Sequence, residues 1–458
     1  MHHTILNTRV RQFLSKLFAN VCSYSLLRLA LGALGLKIGS AALAFINGVL
    51  LARLLGPVEF GLYSLIFSIV NLTATLGGMG LPIFITREVA TSFEHALWGQ
   101  LKGQIRIAHL WMLLFTLTIL GLGLGLVLVL LDTNLMKLNM SWVVIIMATL
   151  LVPLIVLNQL RASILRGLDW VILADLPELL LRPFTMFIIL VGLYFTHTPT
   201  DILTVLSIQS AIIVFTLVVG SWWLLTRQPE QLKYSTSEPP PFSWLLGALP
   251  FFGIAVIGMV ESQISLYMLG YLRGAKQVGL FQVANQIVGL ISIGLVAVNV
   301  PLQPKLASAW SRTDKRQIQK LITETARIGS GISVVAVLVI LIFAEVFLGL
   351  YGSQYIEAAY ALRILAIGQL FNAAAGSCGA LLMMTGHQKV VVLAMVIAML
   401  LNCGVAYWAI PFFGVAGAAF AATFGMIFLN IFCAVYAMFR LDFNTTVFYS
   451  STSVERHI

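Results

Sequence analysis

Leu55-Gly56-Pro57-Val58-Glu59-Phe60-Gly61-Leu62-Tyr63 closes one long apolar run and opens the next. Arg273-Gly274-Ala275-Lys276-Gln277-Val278-Gly279-Leu280-Phe281 does the same in the second half. Gly56 aligns with Gly274, Gly61 with Gly279 and Tyr63 with Phe281, each 218 positions apart. The offset holds further on, where Arg87 meets Lys305, and a weaker echo joins Arg166-Gly167-Leu168-Asp169 to Thr385-Gly386-His387-Gln388. Glycines suit the tight turn between two spans. A repeat unit of six helices enters the membrane in the same direction twice, which predicts a parallel repeat about an axis along the membrane normal.

Composition agrees with a membrane solvent. The chain has 458 residues, 60% hydrophobic and 10% charged, against about 25% charged in soluble domains. The excess of 27 Lys and Arg over 17 Asp and Glu suits cytoplasmic loops better than nucleic acid. Cys22, Cys378, Cys403 and Cys433 form no CxxC pair and read as small hydrophobes. Met1–Arg11 lacks a cleavable signal pattern. No cofactor or metal site is expected.

Apolar stretches of spanning length predict an all-α membrane protein of about twelve helices in two six-helix bundles. They fall at 32–55, 60–82, 107–131, 141–163, 171–195 and 202–226, then 246–271, 279–303, 326–350, 357–384, 388–410 and 413–438. With a cytoplasmic N-terminus, twenty Lys and Arg lie inside and four outside, namely Arg53, Lys137, Arg273 and Lys276. That split sets the orientation, with both termini cytoplasmic. Val10–Leu31 reads as an interfacial helix and Lys305–Arg327, with six basic residues, as a second one on the cytoplasmic surface. Arg227–Ser243, with Pro239-Pro240-Pro241, reads as a linker between halves. The expected division is 1–31 interfacial helix, 32–226 first lobe, 227–245 linker, 246–438 second lobe and 439–458 tail.

Ala52-Arg53-Leu54-Leu55-Gly56-Pro57 with Glu59-Phe60-Gly61-Leu62-Tyr63, then Gly80-Leu81-Pro82 and Thr86-Arg87-Glu88-Val89-Ala90, resembles the polysaccharide (O-antigen or exopolysaccharide) flippases of the MATE-like superfamily. Lys37 sits where that family often carries a basic residue, whereas Ala275 departs from the pattern of Pro57. The resemblance implies a MATE-like fold in a bacterial inner membrane. It also implies an undecaprenyl-pyrophosphate oligosaccharide as substrate, flipped from the cytoplasmic to the outer leaflet for surface polysaccharide or lipopolysaccharide synthesis. The partners it implies are that lipid-linked substrate, membrane lipids and polysaccharide polymerase or chain-length proteins.

Charges inside spans are costly, about 2.5–3.5 kcal/mol each at the centre on insertion scales, and so point to function. Lys37, Asp175, Glu178, Arg182, Glu261, Glu345 and Arg363 lie away from the span edges. Arg182, with Lys37 or Arg363, is the expected site for a pyrophosphate, because Arg presents a planar fork to phosphate oxygens. The spacing of Asp175, Glu178 and Arg182 predicts one shared helix face. Glu178 and Arg182, four apart, also suit simple mutual neutralisation. Pro183 predicts a kink. Glu261, Asp175 and Glu178 are the ion-coupling candidates, with a hydrogen bond from Ser262 or Gln263 as the structural alternative for Glu261. Gly121, Gly123 and Gly125 suit close helix packing.

Two other readings remain. A MATE-type cation-coupled drug exporter would carry a compact acidic site. An integral membrane glycan polymerase or ligase would carry a large outside loop with clustered Arg, His or acids, whereas Lys137, His197 and Asp201 are scattered. With no nucleophile–base pair in view, no catalytic residue is assigned.

Overall fold

In the computed structural model, residues 2–132 and 142–447 are described, and among them the secondary structure is entirely helical. The first half holds α1 (His2–Gly78), α2 (Leu81–Glu94), α3 (Trp98–Asp132), α4 (Trp142–Gly167), α5 (Val171–Leu176), a π-turn (Pro177–Leu181), α6 (Arg182–Phe195) and α7 (Ile202–Arg227). Short α8 (Glu230–Tyr234) and α9 (Phe242–Leu246) follow. The second half holds α10 (Leu249–Arg273), α11 (Ala275–Ser311), α12 (Lys315–Gly349), a 3-10 turn (Ser353–Ala358), α13 (Ala359–Ala375), α14 (Cys378–Met384), α15 (Gln388–Phe413) and α16 (Val415–Leu441).

Eleven stretches among the described residues are long and apolar enough to cross a membrane. The first, Gly35–Gly78, has 44 residues. That is about 66 Å at 1.5 Å per residue, twice a bilayer core. It breaks at Gly56, where φ is 71° and ψ 174°, so it is two spans and the described residues hold twelve. Gly274 repeats the break with φ 82° and ψ −178°. Both angles lie where an L side chain is strained, which is why the turn needs glycine in each half.

The second pair of repeated glycines has a different task. A Cβ on Gly61 would run into the carbonyl of Ala275, and one on Gly279 into the carbonyl of Pro57. The two halves therefore cross backbone to backbone at these positions, as small residues allow in membrane packing. A core drawn from both halves, including Leu51, Phe60, Leu190, Leu269, Val283, Leu348 and Ala421, surrounds the crossing. Arg53 Nε donates to Leu350 O at 2.6 Å and Tyr355 OH to Ala52 O at 3.1 Å, so polar bonds also link the halves there. Away from this end each half has its own core, Ile66 to Ala248 in one and Leu302 to Phe443 in the other.

At the opposite end the halves meet along one edge. Trp244 Nε1 donates to Glu88 Oε2 at 3.0 Å, its ring lies 4.9 Å from that of Phe84, and Gly80 abuts the backbone of Phe252. The stretch after α7 is strapped to α3: Lys102 Nζ donates to the carbonyls of Lys233 and Ser235, each at 2.9 Å, and Glu238 N to Gly99 O at 3.0 Å.

Some expectations change. The surface helix expected over Lys305–Arg327 does not form. Instead α11 runs to Ser311 and α12 starts at Lys315, where Asp314 accepts from Gln317 N at 2.9 Å and caps the new helix. The basic residues there decorate the ends of two long helices. The span expected at 357–384 is interrupted at Gly376, with φ 71° and the carbonyl of Thr445 against it. Gly121, Gly123 and Gly125 have nothing within 4 Å of a Cβ, so they are not packing glycines. The interfacial helix expected over Val10–Leu31 lies outside the residues whose side chains are described, and so does Lys137.

Gly61→Val and Gly279→Val are each expected to lower the midpoint of thermal unfolding in detergent, by an overpacking cost of about 1–3 kcal/mol. Gly121→Val, facing open space, should stay within about 0.5 kcal/mol of wild type. Equal midpoints for Gly61→Val and wild type would show that the halves do not meet there.

Candidate functional site

A cavity of about 420 Å³ lies between the halves. The two spans of α1 supply Ser40, Asn47, Tyr63, Phe67, Ser68 and Asn71; the π-turn and α6 supply Glu178 and Arg182. Gln209 comes from α7, Gln263 from α10, and Gln282 and Gln286 from α11. The lining is thus mostly neutral amides, hydroxyls and aromatic rings around one arginine and one glutamate. The cavity begins beside the glycine crossing, at Leu51 and Phe60, and reaches away from it to Ser40 and Met259. No residue from Gly35 to Ile46 is buried.

Arg182 is held from three directions. Its Nη1 lies 3.1 Å from Glu178 Oε2. With the Gln209 amide turned to give each atom a complementary partner, the amide oxygen accepts from Arg182 Nε at 3.1 Å and from Nη2. The guanidinium sits 5.4 Å from the centre of the Phe67 ring, a cation–π contact. Asn47 Nδ2 donates to Pro183 O at 2.7 Å, tying the helix start to α1.

The distortion expected at Pro183 takes a definite form. Arg182 N reaches back to Pro177 O, five residues away, and the helix winds as a π-turn. Glu178 and Arg182 line the central cavity, whereas Asp175 is not part of its lining. Asp175 pairs instead with Arg166, at 2.7 Å. Single π-turns inside α-helices recur at functional sites.

Arg363 does not line the cavity. It pairs with Glu345 at 3.4 Å and lies over the Tyr360 ring at 5.9 Å. Lys37 is exposed, one turn before Ser40 at the cavity's edge. Glu261 is half-buried and outside the cavity lining. Ser262 gives its hydroxyl to Met259 O, and Gln263 turns to the cavity, so neither provides the structural bond considered for Glu261.

A second cavity, about 300 Å³, lies within the first half and shares Asn71, Glu178 and Arg182 with the central one. The Glu178–Arg182 pair is therefore a wall between two spaces. Close by on α4, Arg161 is 2% exposed, and none of its three side-chain nitrogens has a hydrogen-bond partner. Its guanidinium packs where Gly220 of α7 leaves room, and Glu178, Arg166 and Asp175 are its charged neighbours. Sequence reasoning missed Arg161 because the span was ended at 163, placing it at an edge; α4 continues to Gly167. It also missed the neutral lining. The signal was there in Ser64, Ser68 and Asn71, and in Gln282 and Gln286, polar residues at helical spacing within apolar spans. Among the described residues no group of three or more His, Cys, Asp or Glu is placed to hold a metal ion.

The polysaccharide biosynthesis protein family matches residues 28–310, and the MatE family matches residues 250–408. No curated protein matches the chain. Among solved structures, it is similar to an inward-facing multidrug resistance MATE family transporter of the MOP superfamily. The TM-score is 0.76 at 16% identity, over 90% of this chain and 98% of that one. An outward-facing conformation of such a transporter gives a TM-score of 0.63 at 16% identity, over 91% and 95%. A MOP superfamily transporter from Pyrococcus furiosus, described by the reverse polarity of its binding pocket, gives 0.65 at 17% identity, over 91% and 95%.

Thermal unfolding of Arg182→Gln, Glu178→Gln and the double variant should show coupling. Each single change strands a charge, so the double variant is expected to lose less than the sum, by about 1 kcal/mol or more. Simple additivity would mean that the pair does not interact in solution.

Proposed function

This chain belongs to the polysaccharide biosynthesis protein family, as a membrane transporter of the MOP superfamily rather than an enzyme, and from that premise we propose that it flips a lipid-linked oligosaccharide. The substrate is an undecaprenyl-pyrophosphate glycan, moved from the cytoplasmic to the outer leaflet of a bacterial inner membrane by alternating access. The observation that carries the reading is Arg182: a guanidinium between the halves, beside neutral amides and hydroxyls. A pyrophosphate offers charged oxygens to the arginine, and the low-dielectric surroundings strengthen the attraction. Sugar hydroxyls suit Asn47, Ser68, Gln263, Gln282 and Gln286. At about 420 Å³ the space is that of a small-molecule site, enough for the head group and first sugars. Lys37, at the cavity's edge, supplies a second cation on the approach.

The sealed end carries Arg53, Arg273 and Lys276, which the charge split assigns to the outside. The halves thus close outward and leave the cavity to the cytoplasmic side, in keeping with the higher similarity to an inward-facing relative. Surface polysaccharide synthesis is the process this transport serves, with a polymerase acting next on the flipped glycan.

Coupling is assigned to Glu261. Asp175 and Glu178 are engaged in ion pairs, whereas Glu261 changes protonation without breaking one. Glu261→Gln is expected to remove the dependence of transport on an imposed pH gradient; an unchanged dependence excludes this role.

In proteoliposomes, wild type should flip a fluorescent undecaprenyl-pyrophosphate oligosaccharide, and Arg182→Ala should do so at least about tenfold more slowly, a loss of about 1.4 kcal/mol or more. Normal flipping by Arg182→Ala removes the arginine from the mechanism. Export of small cations with no glycan flipped favours the drug-exporter reading instead.

A further inference from the structure

We propose that Glu178 is exchanged between two arginines when the cargo binds: the incoming pyrophosphate takes Arg182, and Glu178 passes to Arg161. This rests on the reading of Arg182 as the pyrophosphate site.

Glu178 uses one carboxylate oxygen on Arg182, at 3.1 Å, while its other oxygen, Oε1, is buried with no hydrogen-bond partner among the described residues. Arg161 is the complementary orphan, a buried guanidinium whose Nε, Nη1 and Nη2 all lack an acceptor. A buried cation without an acceptor is costly, so the structure holds an unfilled demand for a carboxylate beside the one it would receive. Glu178 shares a cavity with Asn158 and Ala162, which flank Arg161 on α4; Asp175 is already committed to Arg166 at 2.7 Å.

The exchange solves a problem in the central cavity. There Arg182 is neutralised by Glu178, and a neutralised arginine attracts phosphate weakly. Once Glu178 leaves, the full charge faces the cargo. Gln209 and Phe67 keep the guanidinium in place without neutralising it. Glu178 stands on the π-turn, a local winding that differs from the α-helix on either side by a single residue and offers a second register. Arg161 is accordingly a positioning residue: it touches no cargo and acts through Glu178.

The test measures binding of farnesyl pyrophosphate to the purified full-length protein. Arg182→Gln should bind at least tenfold more weakly; if it binds normally, the pyrophosphate reading fails and the exchange fails with it. With that loss seen, Arg161→Gln should weaken binding about tenfold and Arg161→Lys much less. Glu178→Gln should bind at least as tightly as wild type, because Arg182 is already free. The deciding measurement is the double variant: with Glu178→Gln present, Arg161→Gln should have no further effect. An equal loss in both backgrounds shows that Arg161 acts through general charge or packing, and overturns the exchange while leaving the pyrophosphate reading intact. If Arg161→Gln does not fold, weaker binding by Glu178→Gln overturns it alone.

Discussion

Everything in this molecule is arranged around a backbone contact between Gly61 and Gly279. Two helix starts cannot approach so closely with side chains between them, and in a bilayer close approach is itself a main source of cohesion, since lipid tails and apolar side chains are alike as solvents. The contact fixes where the halves seal and hence where they leave space. The shared core, the Arg53 and Tyr355 bonds and the inner limit of the cavity at Leu51 and Phe60 all follow from that position.

The charges follow a second rule. A bilayer tolerates an arginine only when something else meets its demand for hydrogen bonds. Arg182 meets it with a carboxylate, an amide and a ring, and Arg363 with Glu345. Arg161 breaks the rule: it is buried and none of its side-chain nitrogens has an acceptor among the described residues. The MOP superfamily fold supplies the two halves and the space between them; the chemistry of this chain lies in how that small set of charges is distributed.

Much of the fold was legible because its signals are periodic or repeated. Apolar runs gave the spans, and the glycine pattern gave the duplication, down to two turns with nearly the same torsions. The glycines' division of labour was not legible: Gly56 and Gly61 look alike in sequence, and only the packing shows that one serves a turn and the other a crossing. Of the site, Arg182 and its ion pair with Glu178 were readable from spacing. Asp175, grouped with them by spacing, pairs instead with Arg166 of the preceding helix, a partner that helical periodicity does not show. Arg161 was passed over because a span boundary misjudged by one turn converts a buried charge into an interfacial one. Arg363 shows the reverse limit, since depth in a span does not say which face a side chain takes.

The edge formed by Phe84, Glu88 and Trp244 has one more consequence. Held at the glycine crossing and again at this edge, the halves meet a third time where Gln286 Nε2 donates to Ala44 O at 2.9 Å, and the first span before that bond, from Gly35, is unburied. On the flippase reading, a cargo whose head is drawn in beside that unburied stretch keeps its long apolar tail in oil.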